Sequence, residues 1–464
     1  MAAAPEGEGL FADPEPFSPS IFLDLPPTPR PDGNGEVPAS SDDLVLTFIT
    51  RILMEEDIND QFFYQFPDHP VLLQAQEPRP CESLWAARNC AKKNTMKGRG
   101  KSAQGRSSAN EAVELSTLLI HCAQAVATDN RRSATELLRQ IKQHSSPKGD
   151  ATQRLAHCFA EGLEARLAGS GSQLYRSLMA ERIPVVEYLK AYWLYLAACC
   201  FKMTAFRFSN MTILKAIVGR KKVHIVDYGV NCGVQWPTLL YRLATLEAGP
   251  PELGVPFKFH GITVRWDTVC VDDLNIDPDE VLIVNSIMLF RNLMDEGVDI
   301  DSPSPRDVVL RTIRKMQPDA FILYVMNASY SAPFFVTRFR DVLFFYSAMF
   351  DMLDATAPRD SHQRFLVERD LFRQCSLNAV ACEGTDRVER PETYKQWQVR
   401  NQRAGLRQLP LDPDIVKTLR DKVRDQYHKD FVIDTDHNWL LQGWKGRILY
   451  AMSTWVVDDS VSEL

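Results

Sequence analysis

The spacing of apolar residues changes near residue 220, and that change limits the chain to a small set of folds. Over residues 111–215, apolar side chains recur at helical intervals: Leu115, Leu118, Leu119, Cys122 and Val126 form one stripe with a period near 3.6. Beyond residue 220, short runs rich in β-branched and aromatic residues alternate with helix-patterned segments. "KVHIVDYG", "FKFHGITV", "EVLIVNSIM" and "AFILYVMN" read as strands. Strands that alternate with helices imply a mainly parallel, doubly wound sheet. A long helix, "TRFRDVLFFYSAMFDMLDAT", follows. The strand-rich end is broken at Gly443 and Gly446, which predicts an antiparallel hairpin closing the sheet. The expected fold is therefore α/β: a Rossmann-like sheet over residues 216–462 and a mainly helical cap over 111–215, together one domain.

The stretch "VHIVDYGVNCGVQWPTLL" orders a strand, an acid, a glycine-punctuated turn and a helix, as nucleotide-binding α/β folds do. Methyltransferases that use S-adenosylmethionine carry acid-x-Gly-x-Gly-x-Gly at this place. Here Asp227, Gly229 and Gly233 keep the pattern, and Asn231 stands where the middle glycine would be. Asn tolerates left-handed dihedrals, yet its side chain projects where a cofactor would press. The ribose-binding acid expected at the end of a second strand is missing until Asp267. The turn thus reads as a vestigial cradle kept for architecture. The alternative is a methyltransferase-like enzyme or small-ligand binder that uses residues 227–233.

No other catalytic pattern stands beside it. Gly-x-Ser-x-Gly, His-Glu-x-x-His and Walker motifs are missing from the sequence. His224 lies in a strand run and His121 and His157 on helical faces, where structural roles are expected. The ten cysteines form no Cys-x-x-Cys pair; Cys122, Cys158 and Cys270 sit in apolar contexts that suit reduced core thiols. The expectation is no enzyme, no cofactor and no metal site.

The first 110 residues differ from the rest. Residues 1–40 are rich in Pro, Asp and Glu with one basic residue, Arg30, and are expected to be disordered. In "SDDLVLTFITRILMEEDINDQFFYQF", Leu44, Val45, Phe48, Ile49, Ile52 and Leu53 recur at helical spacing between acids. Such a segment suits a transcriptional activation role through a coactivator's groove, or a helix docked on this chain's own domain. The sign then reverses: Arg88, Lys92, Lys93, Lys97, Arg99, Lys101 and Arg106 run without an intervening acid. That block fits a nuclear-import signal or a phosphate-contacting arm, with a solubilising linker as the plain alternative. A net charge of −7 over 464 residues argues against a uniformly basic nucleic-acid binder. No apolar run approaches the roughly 20 residues of a membrane span, so a soluble intracellular chain without membrane contact is expected.

Two further patterns bear on partners. Leu115, Leu118 and Leu119 have the Leu-x-x-Leu-Leu spacing that partner helices use and that packed helices share. Residues 387–411 mix Arg387, Arg390, Arg400, Arg403 and Arg407 with Tyr394 and Trp397, either as DNA phosphate contacts or as an internal ion-pair network with Glu389 and Glu392.

These pieces, in this order, resemble the plant GRAS family, and within it the scarecrow-like members. Residues 113–175 resemble its first leucine-rich region. Val223, His224, Ile225, Val226 and Asp227, then Gln235, Trp236 and Pro237, match its VHIID motif. Pro333, Phe334, Phe335, Arg338, Phe339, Arg340 and Asp341, continuing to Arg387, Val388 and Glu389, match the PFYRE region. Trp439, Gly443, Trp444, Ser453, Thr454 and Trp455 match the terminal SAW region. Over residues 111–458 the resemblance implies a methyltransferase-like core under a helical cap. It also implies a nuclear transcription regulator that acts as an interaction scaffold with DNA-binding factors or contacts DNA itself, and that is capable of homo- or heterodimer formation within the family. One departure is large. Family members carry a strand, a helix and a second leucine-rich region after the position of Leu253; here "GPPEL" runs straight into "GVPFKF". A unit of roughly 30 or more residues is expected to be missing, and with it the second strand of the sheet.

Overall fold

The structure, a computed structural model, describes residues 107–181, 184–229, 233–246, 258–294 and 303–460. The basic block from Arg88 to Arg106, the acidic segment before it and Asn231 lie outside the described residues.

Among the described residues six helices come first: α1 (Ser107–Ala127), α2 (Arg131–His144), α3 (Ala151–Leu167), α4 (Gly171–Ala180), α5 (Val185–Ala198) and α6 (Cys200–Ala216). Their starts are written in the sequence. Asp150 caps α3 by accepting from the Gln153 amide while the Gln153 side chain accepts from the Asp150 amide, a reciprocal capping box. Leu115 and Leu119 are buried against the neighbouring helices, and Leu118 is partly buried against the same core. The leucine motif therefore packs mainly inward, with Leu118 left partly exposed.

Strand β1 (Val223–Asp227) leads to α7 (Gln235–Leu246), β2 (Val281–Ile287), α8 (Pro305–Met316) and β3 (Ala320–Met326). Then come α9 (Phe335–Thr356), α10 (His362–Leu366), a π-helical turn over Val367–Arg373, α11 (Gln374–Ala381), α12 (Tyr394–Arg403), β4 (Leu406–Gln408) and α13 (Pro413–Gln426). Strands β5 (Phe431–Asp436), β6 (Trp439–Trp444) and β7 (Arg447–Val457) end the domain. The sheet order is β1-β2-β3-β7-β6-β5, with β4 also paired to β7. β1, β2 and β3 are mutually parallel; β7, β6 and β5 are antiparallel to their neighbours. Lys445 and Gly446, both at positive φ, make the two-residue turn between β6 and β7.

Alternation along β2 and β3 divides the interior. Ile283, Ile287, Ile322 and Tyr324 face the helical cap, while Leu282, Val284, Phe321 and Leu323 face the opposite layer. Both strands are buried at every residue, as parallel strands covered on two faces should be, whereas every residue of β1 is only half-buried.

Two expectations change. Residues 258–264 of "FKFHGITV" form no strand, and Phe259 and Val264 are 70% and 52% exposed. The strand pattern is present, but among the described residues no neighbouring strand lies beside it, and tertiary pairing overrides propensity. The cap also extends beyond residue 215. Helices α9 and α11 pack on α3, so chain from beyond β3 completes the helical layer. Among the described residues no helix is long and apolar enough to cross a membrane.

Candidate functional site

The turn after β1 is the site on which a nucleotide function depends. Asp227 ends β1 with its carboxylate held from two sides: Trp236 Nε1 donates to Oδ2 at 3.2 Å and Asn285 Nδ2 donates to Oδ1 at 3.1 Å. Behind it lies a closed polar cluster. Ser209 Oγ donates to Asn285 Oδ1 at 2.8 Å, Gln235 Nε2 donates to Ser209 Oγ at 2.9 Å, and Asn285 Nδ2 also reaches Gln235 Oε1 at 3.3 Å. Ser209, Gln235 and Asn285 are buried, so each hydrogen bond offsets a desolvation cost. Burial raises the Asp227 carboxyl to about 7, with the Asn285 and Trp236 hydrogen bonds pulling the other way.

Gly229 has φ +107°, and the space where a Cβ would stand is filled by the Leu289 side chain. Leu289 reaches it because Met288, just past β2, adopts φ +69°, a left-handed conformation that bulky residues rarely take. The bare Cα that lets backbone approach a cofactor is thus covered by the chain itself. Alongside, Tyr228 packs edge-on against Phe290 (centroids 5.3 Å apart) and Trp266 (6.2 Å), and Phe290 continues to Trp397 at 5.7 Å. In open α/β sheets, ligands sit at the carboxyl ends of strands where the strand order reverses. Here β1 is the last strand of the sheet path, and among the described residues no strand lies on its far side. The described residues do not fit S-adenosylmethionine: Leu289 covers the approach to Gly229, and among the described residues no strand is placed beyond β1 to carry a ribose-binding acid.

The arginine-rich stretch divides in two. Arg387 and Arg390 are buried; Arg387 Nη1 donates to the Tyr330 carbonyl at 2.6 Å and Arg390 Nη2 to the Gly384 carbonyl at 2.6 Å. Arg400 grips Glu392 bidentately at 2.6 and 2.8 Å and reaches Asp307 at 3.1 Å, while buried Arg306 binds the same Glu392 at 2.8 Å. Arg291 pairs with Glu389 at 2.8 Å. Arg400 therefore belongs to an internal ion-pair network with Glu392 and Asp307, while Arg387 and Arg390 are turned inward onto backbone carbonyls. Arg403 and Arg407 are exposed.

His224 Nδ1 lies 3.1 Å from Glu280, and His121 and His157 are exposed on the cap helices. Cys122 and Cys158 are buried thiols pushed up to about 12 by desolvation, but Cys270 is exposed and does not belong to the core. Sequence reasoning missed Ser209, Asn285 and Leu289. Asn285 and Ser286 carried a signal, as two polar residues inside an otherwise apolar strand; Leu289 carried none.

The GRAS domain family matches residues 115–253 and 251–456, two stretches that meet where the strand-helix unit was expected to be missing. Scarecrow-like protein 9 of Arabidopsis thaliana is 47% identical over 375 residues, covering 74% of this chain and 52% of that protein. Scarecrow-like protein 14 of the same plant is 43% identical over 431 residues, covering 85% of this chain and 55% of that protein. The chain spans about half the length of these relatives. Among solved structures, the crystal structure of SCL7 in Oryza sativa superposes with a TM-score of 0.62 at 26% identity, covering 74% of this chain and 99% of that one.

Proposed function

This chain belongs to the GRAS domain family, and from that membership we propose that it regulates transcription in the nucleus as a binding scaffold and not as a catalyst. The observation that carries the second half is the closed cradle. Leu289 covers Gly229, and Asp227 is engaged by Trp236 and Asn285. Its carboxylate, engaged at both oxygens, ties the first turn of α7 to β2. The fold keeps the strand, the turn and the helix because they hold the cap on the sheet.

The first half draws support from charge segmentation. The acidic segment with its helical apolar stripe suits recruitment of coactivators, and the basic block from Arg88 to Arg106 suits nuclear import. Fused to a neutral DNA-binding domain, residues 1–80 should activate a reporter; a silent fusion contradicts the activation role. A tagged full chain should accumulate in the nucleus and lose that distribution when Lys92, Lys93, Lys97 and Arg99 become Ala. Cytoplasmic retention of the intact chain contradicts the reading.

Direct DNA contact is a second reading, supported by the exposure of Arg403 and Arg407. The discriminating variant is Arg403→Glu with Arg407→Glu, because substituting Arg400 also breaks its pairs with Glu392 and Asp307. If these arginines meet phosphates, the double variant loses binding and its affinity becomes less dependent on salt.

A further inference from the structure

We propose that the outer face formed by α8 and α12 is a docking surface for this chain's own acidic amphipathic segment, residues 42–58. The face is built rigidly. Arg400 ties α12 to Asp307 at the start of α8, and the Arg314 guanidinium from the end of α8 lies against Gly405, 2.9 Å from where a Cβ would stand. Side chains of α8 are thereby linked to α12 and to the turn that follows it. Along the outside of α12, Lys395, Val399 and Arg403 follow at intervals of four, which places them on one line of the helix. Val399 is 44% exposed, a bare apolar residue between two cations. A shallow open hollow of about 340 Å³ lies against it, lined by α12 itself and by Glu392 just before it. Arg311 and Lys315 on α8 and Arg407 on β4 are further exposed cations of these elements, while Lys395 lies 3.9 Å from Asp436 and Arg407 acts on Asp458. Lys315 and Arg403 form no ion pair among the described residues, and Glu392 is already neutralised from within by Arg306 and Arg400.

Charge complementarity selects the occupant. Residues 1–87 hold sixteen Asp and Glu against three Arg, whereas residues 107–464 hold 43 Lys and Arg against 44 Asp and Glu. The domain as a whole is therefore neutral, and the positive charge on this face is a local concentration. Residues 42–58 offer the matching chemistry: Leu44, Phe48 and Ile52 at helical spacing for Val399 and the hollow, with Asp42, Asp43, Glu55, Glu56 and Asp57 at the ends for the cations. The basic block at residues 88–106 also attracts these acids but offers almost no apolar surface in return. Reach is sufficient. The 48 residues from 59 to 106 that separate the segment from α1 would span roughly 40 Å as a random coil, against a radius of gyration near 20 Å for a domain of this size. Tethering supplies an effective concentration of the order of millimolar, so weak intrinsic affinity is enough. The docked segment would cover Arg403, so release of the segment and access of any polyanion to this face would be coupled.

The proposal rests on the geometry of the face and not on the transcriptional reading. Zero-length carbodiimide cross-linking of the full chain, read by mass spectrometry, tests it. The expected result is cross-links within the monomer from Lys395 or Lys315 to acids of residues 42–58. They should be lost at high salt, in the tail variant Glu55→Lys/Glu56→Lys/Asp57→Lys, and in the face variant Val399→Asp/Arg403→Glu. Both variants alter exposed or tail positions, and an unchanged circular dichroism melt confirms that the domain is intact. The proposal is overturned if the acids cross-link only to Lys92, Lys93, Lys97 or Lys101. Links found only in a dimer band, which would make a second copy the occupant, also overturn it. So does a duplex DNA that binds the intact chain through this face with no gain in the tail variant.

Discussion

At the scale of single residues, Asp227, Gly229 and Leu289 decide between cradle and scaffold. Asp227 titrates near 7 in the fold because it is desolvated, against roughly 3.9 when unfolded. The native state therefore binds more protons than the unfolded state between about pH 4 and pH 7, and this carboxyl's contribution to stability falls as pH rises through that window. Asp227→Asn removes the titration while leaving an oxygen to accept from Trp236. Its melting temperature relative to the parent should rise from pH 4 to pH 7; a constant difference contradicts the assignment. Gly229→Ala meets both an unfavourable φ and the Leu289 side chain, and should cost about 2–4 kcal/mol. Leu289→Ala removes the collision but not the dihedral strain, so the two substitutions should couple by about 1 kcal/mol in a denaturation cycle. Additivity would mean that Leu289 does not fill the space over the glycine.

At the scale of elements, α12 is held by a clasp whose strength can be measured. Glu392 is buried between Arg306 and Arg400, and Arg306 is fully buried. Glu392→Ala leaves Arg306 as a buried cation without its carboxylate and should destabilise the domain by about 3–5 kcal/mol. Arg403→Glu, exposed on the same helix, should change stability by about 0.5 kcal/mol or less. Equal effects in urea denaturation contradict the division of the arginine stretch into clasp and surface. The elements were unequally legible in the sequence. β2 and β3 were legible because unbroken apolar runs between turn signals have few other solutions. The Glu389 and Glu392 network was legible as one of two readings, since opposite charges at short spacing suit both a solvated face and a buried clasp. "FKFHGITV" was misread because its alternation is local and its strand state depends on a neighbour. Leu289 was invisible, since its position follows from the left-handed turn at Met288.

At the scale of the whole molecule, one absence organises the rest. The sheet runs from β1 to β5 without a strand beyond β1 among the described residues, and the family match breaks at residues 251–253. β1 therefore behaves as an edge strand although its sequence is that of an interior one. In hydrogen exchange, the amides of β1 should open well before those of β2 and β3, which are buried at every residue. Equal protection in β1 and β2 would place another element against that edge. Among the described residues no reversal of strand order lies at β1 to make a ligand crevice, and the polar cluster around Asp227 serves as a joint between α6, α7 and β2. The central claim is that this inherited nucleotide turn is closed by the chain's own side chains. Calorimetric titration of the full chain with S-adenosylmethionine, taken to millimolar ligand, tests it most directly. No saturable heat is predicted; a saturable isotherm that disappears in Gly229→Ala would contradict it.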